Sequence, residues 1–351
     1  MLLLDEKVKW LHWHVSVMAV AVYAGTFDPP TRGHLWMIRR GAEIFSKLYV
    51  VIACNPDKKT FVIPIKNRVR LMREWTDIYW LNNVEVIAIS EHEYTVNAAD
   101  KLGANVLIRG IRNSSDFEYE QKMSRINESI NPNIQTILLP PPDTIAKISS
   151  TSVRERLGKK NWESTIRELL PRNVYSYILK NEGGLRYKMI PKYVWDTYAK
   201  RQHYHNLAHI AELLSAFYRG KWEHPDDVFY AIWYHDLVYN TKALNNEQKS
   251  VAAFLKDQSF NERIDLDNVC KLIMATDYSK PCPDDLDCRN FRTIDTNIIF
   301  SDPDTIREYE YAIRKEYSWV SEKRYYYYRR KIMKALGAPY VPYPDREQYL
   351  G

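Results

Sequence analysis

Cysteine is scarce in this chain: 4 of 351 residues, Cys54, Cys270, Cys282 and Cys288, with no C-x-x-C pair among them. That scarcity argues against a disulfide framework and leaves the expectation of reduced thiols in a cytoplasmic protein. No apolar run approaches the roughly 20 residues of a membrane span, so no membrane partner is expected. The first twenty residues carry Asp5, Glu6, Lys7 and Lys9 ahead of an apolar patch and lack a small-residue cleavage site, which argues against a secretory signal. Internal repeats are missing, and the only low-complexity tract is the four tyrosines at 325–328. A strong excess of one charge is missing too, because the net charge of +6 arises from interleaved basic and acidic residues. The densest basic run, Lys323 to Lys331, mixes cations with those tyrosines and reads as a helix with a tyrosine face. A nucleic-acid partner is therefore not expected, and small phosphorylated anions account equally well for local positive charge.

What is present is the composition of a globular protein, 45% hydrophobic and 27% charged, and length for two domains, each with its own core. Residues 19–180 alternate strand-like runs (Val20–Ala24, Leu48–Cys54, Val84–Ser90, Asn105–Ile108, Ile134–Leu139) with helical patterns near 36–46, 66–80, 95–103 and 116–130. Alternation of this kind predicts a parallel sheet covered by helices on both faces. A helix is expected to begin near Ser150 and another to span about 162–181. The chain is punctuated at Asn181-Glu182-Gly183-Gly184, and beyond it only helices are expected, near 190–200, 205–219, 225–237, 246–258, 263–276, 303–317 and 320–336. The expected organisation is an N-terminal extension (1–18), an α/β domain (19–183) and an all-α domain (184–351).

The stretch from Ala21 to His34, A-V-Y-A-G-T-F-D-P-P-T-R-G-H, runs an apolar strand into a loop broken by Gly25, Pro29, Pro30 and Gly33, then opens a helix on a histidine. Backbone N–H groups, a positive helix end and an imidazole donor suit a polyphosphate. Further clusters follow at the same expected edge of the sheet: Asn55 to Lys59, Arg109-Gly110-Ile111-Arg112 with Asp116 to Glu120, and Ile148 to Glu155. Ser149 and its neighbours read equally well as simple helix N-caps, and Arg109 and Arg112 as surface ion pairs.

Together G-T-F-D-P-P-T-R-G-H, P-D-K-K, V-L-I-R-G-I-R, D-F-E-Y-E and I-S-S-T-S-V-R-E resemble the nucleotidylyltransferase superfamily, closest to the phosphopantetheine adenylyltransferases. The resemblance implies a Rossmann-like fold and attack of an acceptor phosphate on the α-phosphorus of ATP, with Mg²⁺ and release of pyrophosphate. It implies that Thr26 and His34 contact the nucleotide phosphates, with Phe27, Gly110 and Arg112 also on the nucleotide side. Lys58 and Arg109 would hold the acceptor phosphate or the transition state, and Glu120 would lie near ribose and adenine. Ser149, Ser150, Thr151 and Arg154 would bind the β- and γ-phosphates. The implied catalytic groups are thus His34, Lys58 and Arg109, and the implied pathway is coenzyme A biosynthesis. Tyr94-Thr95 stand where the family carries a Leu-Met pair, Thr144 to Lys147 replace an aromatic-containing stretch, and Pro30 is more typical of pyridine-mononucleotide relatives. Phosphopantetheine is the first expected acceptor, and nicotinamide or nicotinate mononucleotide the second.

In the second half, His205 and His209 are four apart on an expected helix, His235-Asp236 follow the apolar run Phe229–Tyr234, and Asp295 lies further on. Two imidazoles and two carboxylates from separate segments suit Mn²⁺, Fe²⁺, Mg²⁺ or Zn²⁺. The segments R-Q-H-Y-H-N-L-A-H-I, W-Y-H-D-L-V-Y, N-N-E-Q-K-S and A-I-R-K-E-Y-S-W-V resemble the HD superfamily of metal-dependent phosphohydrolases. That resemblance implies His209, His235, Asp236 and Asp295 as metal ligands, His205 as a general acid and Glu247 as a water or second-metal residue. The sequence departs from that family where Asp277-Tyr278-Ser279 follow Ala275-Thr276, and where Thr293 precedes Asp295. The expected whole is a bifunctional homo-oligomer acting on small phosphorylated molecules. The competing expectation is that one domain is a non-catalytic nucleotide sensor.

Overall fold

The computed structural model describes residues 17–53, 61–90, 93–257 and 264–338. They divide into two compact units, one of residues up to 159 with 168–174, the other of 160–167 and from 175 onward.

In the first unit five strands form one parallel sheet: β1 (Val17–Gly25), β2 (Phe45–Ile52), β3 (Val84–Ala88), β4 (Val106–Gly110) and β5 (Gln135–Leu139). Their order is β3-β2-β1-β4-β5, with Ala21 of β1 paired to Leu48 of β2 and to Val106 of β4. The winding reverses between β1 and β4, and in open parallel sheets ligands bind outside the carboxyl ends of strands at such a switch point. Helices α1 (Arg32–Ile44), α2 (Ile65–Ile78), α3 (Thr95–Lys101) and α4 (Ser114–Ile130) connect the strands. Val22, Ala24, Val51 and Leu107 pack against Val96 and Ala99 of α3 on one face. The adjacent residue Ile108 faces the other way, and with Leu48 it lies where a Cβ on Gly41 of α1 would stand 2.9 Å from each. Both faces are covered, so the central strands read as continuous Val/Ile/Leu/Ala runs rather than alternating ones.

Two short helices follow, α5 (Asp143–Ala146) and α6 (Ser150–Arg154). The single helix expected over 162–181 is instead α7 (Trp162–Ile166), a 3₁₀ turn over 167–169 and α8 (Arg172–Asn181). Pro171 is the cause, since a proline ring removes an amide donor and clashes with the preceding turn.

The second unit continues with α9 (Lys192–Lys200), α10 (Leu207–Phe217), α11 (Pro225–Tyr234), α12 (Asn246–Lys256), α13 (Leu266–Ala275), α14 (Leu286–Thr296), α15 (Pro303–Glu316) and α16 (Glu322–Ala335). Helix α11 is buried on every side from Asp227 to Tyr234, as a central helix must be, and contacts α10, α12 and α13. Two expectations are corrected. Helix α10 starts at Leu207 with Asn206 as N-cap, its side chain accepting the Ala208 N–H, so His205 lies in the preceding turn and not on a helix with His209. Helix α14, which carries Asp295, was not expected at all. It buries only Asp287, Cys288 and Phe291, too narrow a stripe to give a helical period in so polar a sequence.

Leu107 is 3% exposed in the centre of the sheet. Leu107→Ala is expected to cost about 2–5 kcal/mol, read as a drop in the urea midpoint of the first unit; a shift below about 1 kcal/mol would contradict this packing.

Candidate functional site

The loop between β1 and α1 is fixed through its carbonyls. Arg109 Nη1 donates to Ala24 O at 2.8 Å, the Ala53 N–H donates to Gly25 O at 3.0 Å, and Arg68 donates to Thr26 O. Arg154 Nη1 donates to Asp28 O at 2.5 Å, and Ser150 Oγ donates to Pro29 O at 2.8 Å. The buried Asp28 carboxylate accepts the N–H groups of Val62 and Ile63 at 3.1 and 2.9 Å. By contrast, the N–H groups of Thr26, Phe27 and Asp28 donate to no acceptor among the described residues. Carbonyls therefore face the protein, and amide donors are left over at the start of a helix, where an anion is favoured.

His34 sits at the third position of α1 and completes a capping box with Thr31. The Thr31 N–H donates to Nδ1 at 3.0 Å, so Nδ1 is the acceptor and the proton resides on Nε2. Burial, and then the Arg112 charge, lower the imidazole to about 3, which keeps it neutral at pH 7. Phe27 has φ of 48° and is 2% exposed, its ring edge-on to His34 at 4.9 Å and to Tyr23 at 5.3 Å. Phe27 is thus a wall behind the histidine, and only its backbone is placed to meet a ligand. A Cβ on Gly33 would stand 2.8 Å from Ile148 O, so the helix start and the Ile148–Arg154 segment meet backbone to backbone.

Arg109 and Gly110 end β4. Arg109 is gripped by Glu120, Nε to Oε2 and Nη2 to Oε1 both at 2.8 Å, so its charge is balanced while two of its N–H donors remain. Gly110 is tight against α1, since a Cβ there would lie 3.3 Å from Met37 Sδ. Arg112 pairs with Asp116 at 2.6 Å on the exposed start of α4. Ser149 is the N-cap of α6 in a capping box with Ser152, and Thr151 Oγ1 accepts from Arg154 Nη2 at 3.0 Å. The structure therefore brings Thr26, His34, Arg109, Glu120 and Ser149–Arg154 to one sheet edge. Lys58 lies outside the described residues. Tyr23, Asp28 and Arg68, which shape the loop, were not singled out from the sequence; the Asp-Pro-Pro run was the one signal that Asp28 had a structural task.

In the second unit, His209 Nε2 and His235 Nε2 converge to 3.3 Å, with Asp295 Oδ1 at 3.4 and 3.6 Å from them. Asp236 Oδ2 lies 3.0 Å from His235 Nε2 and 3.7 Å from His209 Nε2. His235 Nδ1 is 3.0 Å from Ile232 O, an arrangement that holds the Nδ1 proton and turns the Nε2 lone pair inward. Burial lowers His209. Burial also pulls His235 down, but Asp236 and Asp295 reverse this and raise it to about 10. Burial pushes both carboxylates up, yet the imidazoles beside them hold both below the ordinary range. Two half-buried carboxylates facing two buried imidazoles call for positive charge between them, which a proton on His235 or a divalent cation supplies.

His205 stands beside this cluster, with Nε2 3.6 Å from Asp236 Oδ2 and Nδ1 2.7 Å from Glu316 Oε2. Glu316 Oε1 accepts the N–H groups of Tyr204 and His205, each at 2.9 Å, and Tyr239 lies over the His205 ring at 3.8 Å. Tyr278 donates to Asp295 Oδ2 at 2.8 Å. Glu247, at the start of α12, is raised by burial. Glu316 sits within the quoted A-I-R-K-E-Y segment, but its partner could not be read from the sequence.

Residues 22–156 match the cytidylyltransferase-like family model. The phosphopantetheine adenylyltransferase of Chromobacterium violaceum is 45% identical over 162 residues, 46% of this chain and 96% of that protein. That of Neisseria meningitidis serogroup C is 41% identical over 159 residues, 45% of this chain and 91% of that protein. A solved nicotinic acid mononucleotide adenylyltransferase from Plasmodium falciparum, in complex with NaAD, is 21% identical with a TM-score of 0.36, covering 46% of this chain and 94% of that one. Among the described residues no helix is long and apolar enough to cross a membrane. Over its first unit, with an amide-lined loop at the switch point of a parallel sheet and near-complete coverage of these relatives, the chain belongs to the phosphopantetheine adenylyltransferase family of nucleotidyltransferases.

Proposed function

We propose that the first unit transfers an adenylyl group from ATP to the phosphate of a phosphopantetheine-like acceptor. The observation that carries this is the β1–α1 loop, with its carbonyls committed to side chains and its amides and the His34 Nε2–H left for phosphate oxygens. In the transfer an acceptor phosphate oxygen forms a bond to the α-phosphorus as the bond to the bridging oxygen breaks, and pyrophosphate leaves. ATP with Mg²⁺ would be the donor, and Ser150, Thr151 and Arg154, which lie beside the loop, would then face its β- and γ-phosphates. No covalent enzyme intermediate is required, so rate comes from alignment and charge stabilisation. A neutral His34 donates without needing a proton from solution. Arg109, steadied by Glu120, keeps two donors for a phosphate. A pyridine mononucleotide is the second acceptor, on the ground of Pro30.

For the second unit we infer a metal-dependent phosphohydrolase of the HD type, supported by the convergence of His209, His235 and Asp295, with Asp236 beside both imidazoles. A divalent cation of the Mn, Fe, Mg or Zn kind held there would supply Lewis acidity toward a phosphate ester. His205, oriented by Glu316, would hold a proton near the leaving group.

Pyrophosphate release from ATP is expected with phosphopantetheine, more weakly or not at all with nicotinate mononucleotide. His34→Ala should lower it by about a hundredfold, and Gly33→Ala should do so comparably by pushing α1 off Ile148, with far-ultraviolet dichroism unchanged. Wild-type rates in His34→Ala would sink the transfer mechanism. His34 also sets a pH dependence. Its folded value near 3 lies below the ordinary 6.5, so the folded unit excludes a proton that the unfolded chain accepts. Stability should be fully present above pH 6.5 and fall as pH drops from there toward 3, and denaturant melts of His34→Gln should show a flatter slope over that window. For the second unit, elemental analysis is expected to find about one divalent ion per chain, lost in His235→Ala and Asp295→Ala. Absence of any bound ion after incubation with Mn²⁺ would refute the metal reading.

A further inference from the structure

A cavity at the end of the helical unit shares no lining residue with the histidine–aspartate cluster. It has a volume of about 400 Å³ and lies between the Tyr317–Ser321 turn and α16, lined among others by Ile313, Trp319, Arg324, Tyr325, Tyr328 and Ile332. That volume is within the usual range for small-molecule sites. Its turn is held in place, because Arg314 donates to Tyr317 O at 2.8 Å and to Val320 O at 3.1 Å. Trp319 Nε1 donates to Thr241 Oγ1 at 2.8 Å, which fixes the indole. Even so, Trp319 and Tyr328 are each 52% exposed.

Two features point to the occupant. The walls are aromatic, with Trp319, Tyr317, Tyr325 and Tyr328 giving planar surfaces for a planar ring. Two cations stand over these rings without a carboxylate among the described residues: the Arg324 guanidinium, itself part of the lining, 5.8 Å over Tyr328, and the Lys242 ammonium, 5.5 Å over Trp319. An aliphatic ligand would leave the two charges unanswered. An extended nucleic-acid strand would need a longer basic track, yet Arg329 is taken by Glu310 and Tyr309, and Tyr325 and Tyr326 are buried.

We propose that this cavity binds a nucleotide, its base against Trp319 and Tyr328 and its phosphate on Arg324 and Lys242. Base stacking on aromatic side chains tolerates any base, so the class is nucleotide rather than one particular base. The site owes nothing to a metal, and its failure or success is separable from that of the hydrolase reading.

The test is calorimetric titration of the full chain with ADP, paired with photolabelling by 8-azido-ADP. Two ADP per chain are expected, with label in the peptide holding Trp319 to Ile332 as well as in the first unit. Arg324→Glu should weaken the second binding step about tenfold or more, with adenylyl transfer unchanged. Tyr328→Ala should weaken it several-fold by removing a stacking face, with the melting temperature little changed because the ring is half exposed. A stoichiometry of one, label confined to the first unit, or indifference of the second step to both substitutions would overturn the proposal. Tighter binding of an oligoadenylate with a steep salt slope would overturn it in favour of a strand-binding surface.

Discussion

The direction of the peptide groups between Ala24 and Pro29 is the constraint on which the transferase half depends. Each of five carbonyls there accepts a hydrogen bond, and four of the donors are side chains of Arg109, Arg68, Arg154 and Ser150, from β4, α2 and α6. A loop pulled outward by its oxygens must turn its nitrogens toward the opposite side. The proposed anion-binding character of the site is therefore a property of the whole sheet edge, since removing any one donor frees a carbonyl to compete for the ligand's place.

Much of this architecture was legible in the sequence. Apolar runs separated by helical patterns foretold five parallel strands, and the glycine, proline and histidine offsets marked the loop whose amides are left over at the sheet edge. Pairing was not legible. That Glu120 holds Arg109 rather than lying open to a ligand depends on β4 and α4 meeting eleven residues apart, which neither segment records alone. The serines of Ile148–Arg154 were ambiguous between cap and ligand group. The structure gives Ser149 the cap and sends Ser150 to the Pro29 carbonyl, so the hydroxyls act through the loop's shape as much as by direct contact.

In the helical half the candidate residues were visible as residue types, but not the frame that aims them. His209 and His235 come from α10 and the end of α11, while Asp295 comes from α14, whose polar sequence hid its helicity. His205 lies outside the helix that its spacing from His209 predicts, because the helix begins only after its N-cap, Asn206. Its orientation comes instead from Glu316, more than a hundred residues away, through one side-chain and two main-chain bonds.

The capping box of α1 has a consequence for how this protein can vary. Most helices entrust their first turn to a residue that does nothing else, and evolution can exchange it freely among Ser, Asp, Asn or Glu. In α1 the third-position partner of Thr31 is the imidazole that we propose also donates to the ligand. Anchoring and chemistry are thereby written in a single codon. A lineage that relaxed the chemistry would loosen the helix with it, and one that sought a sturdier helix by the usual exchanges would lose the donor.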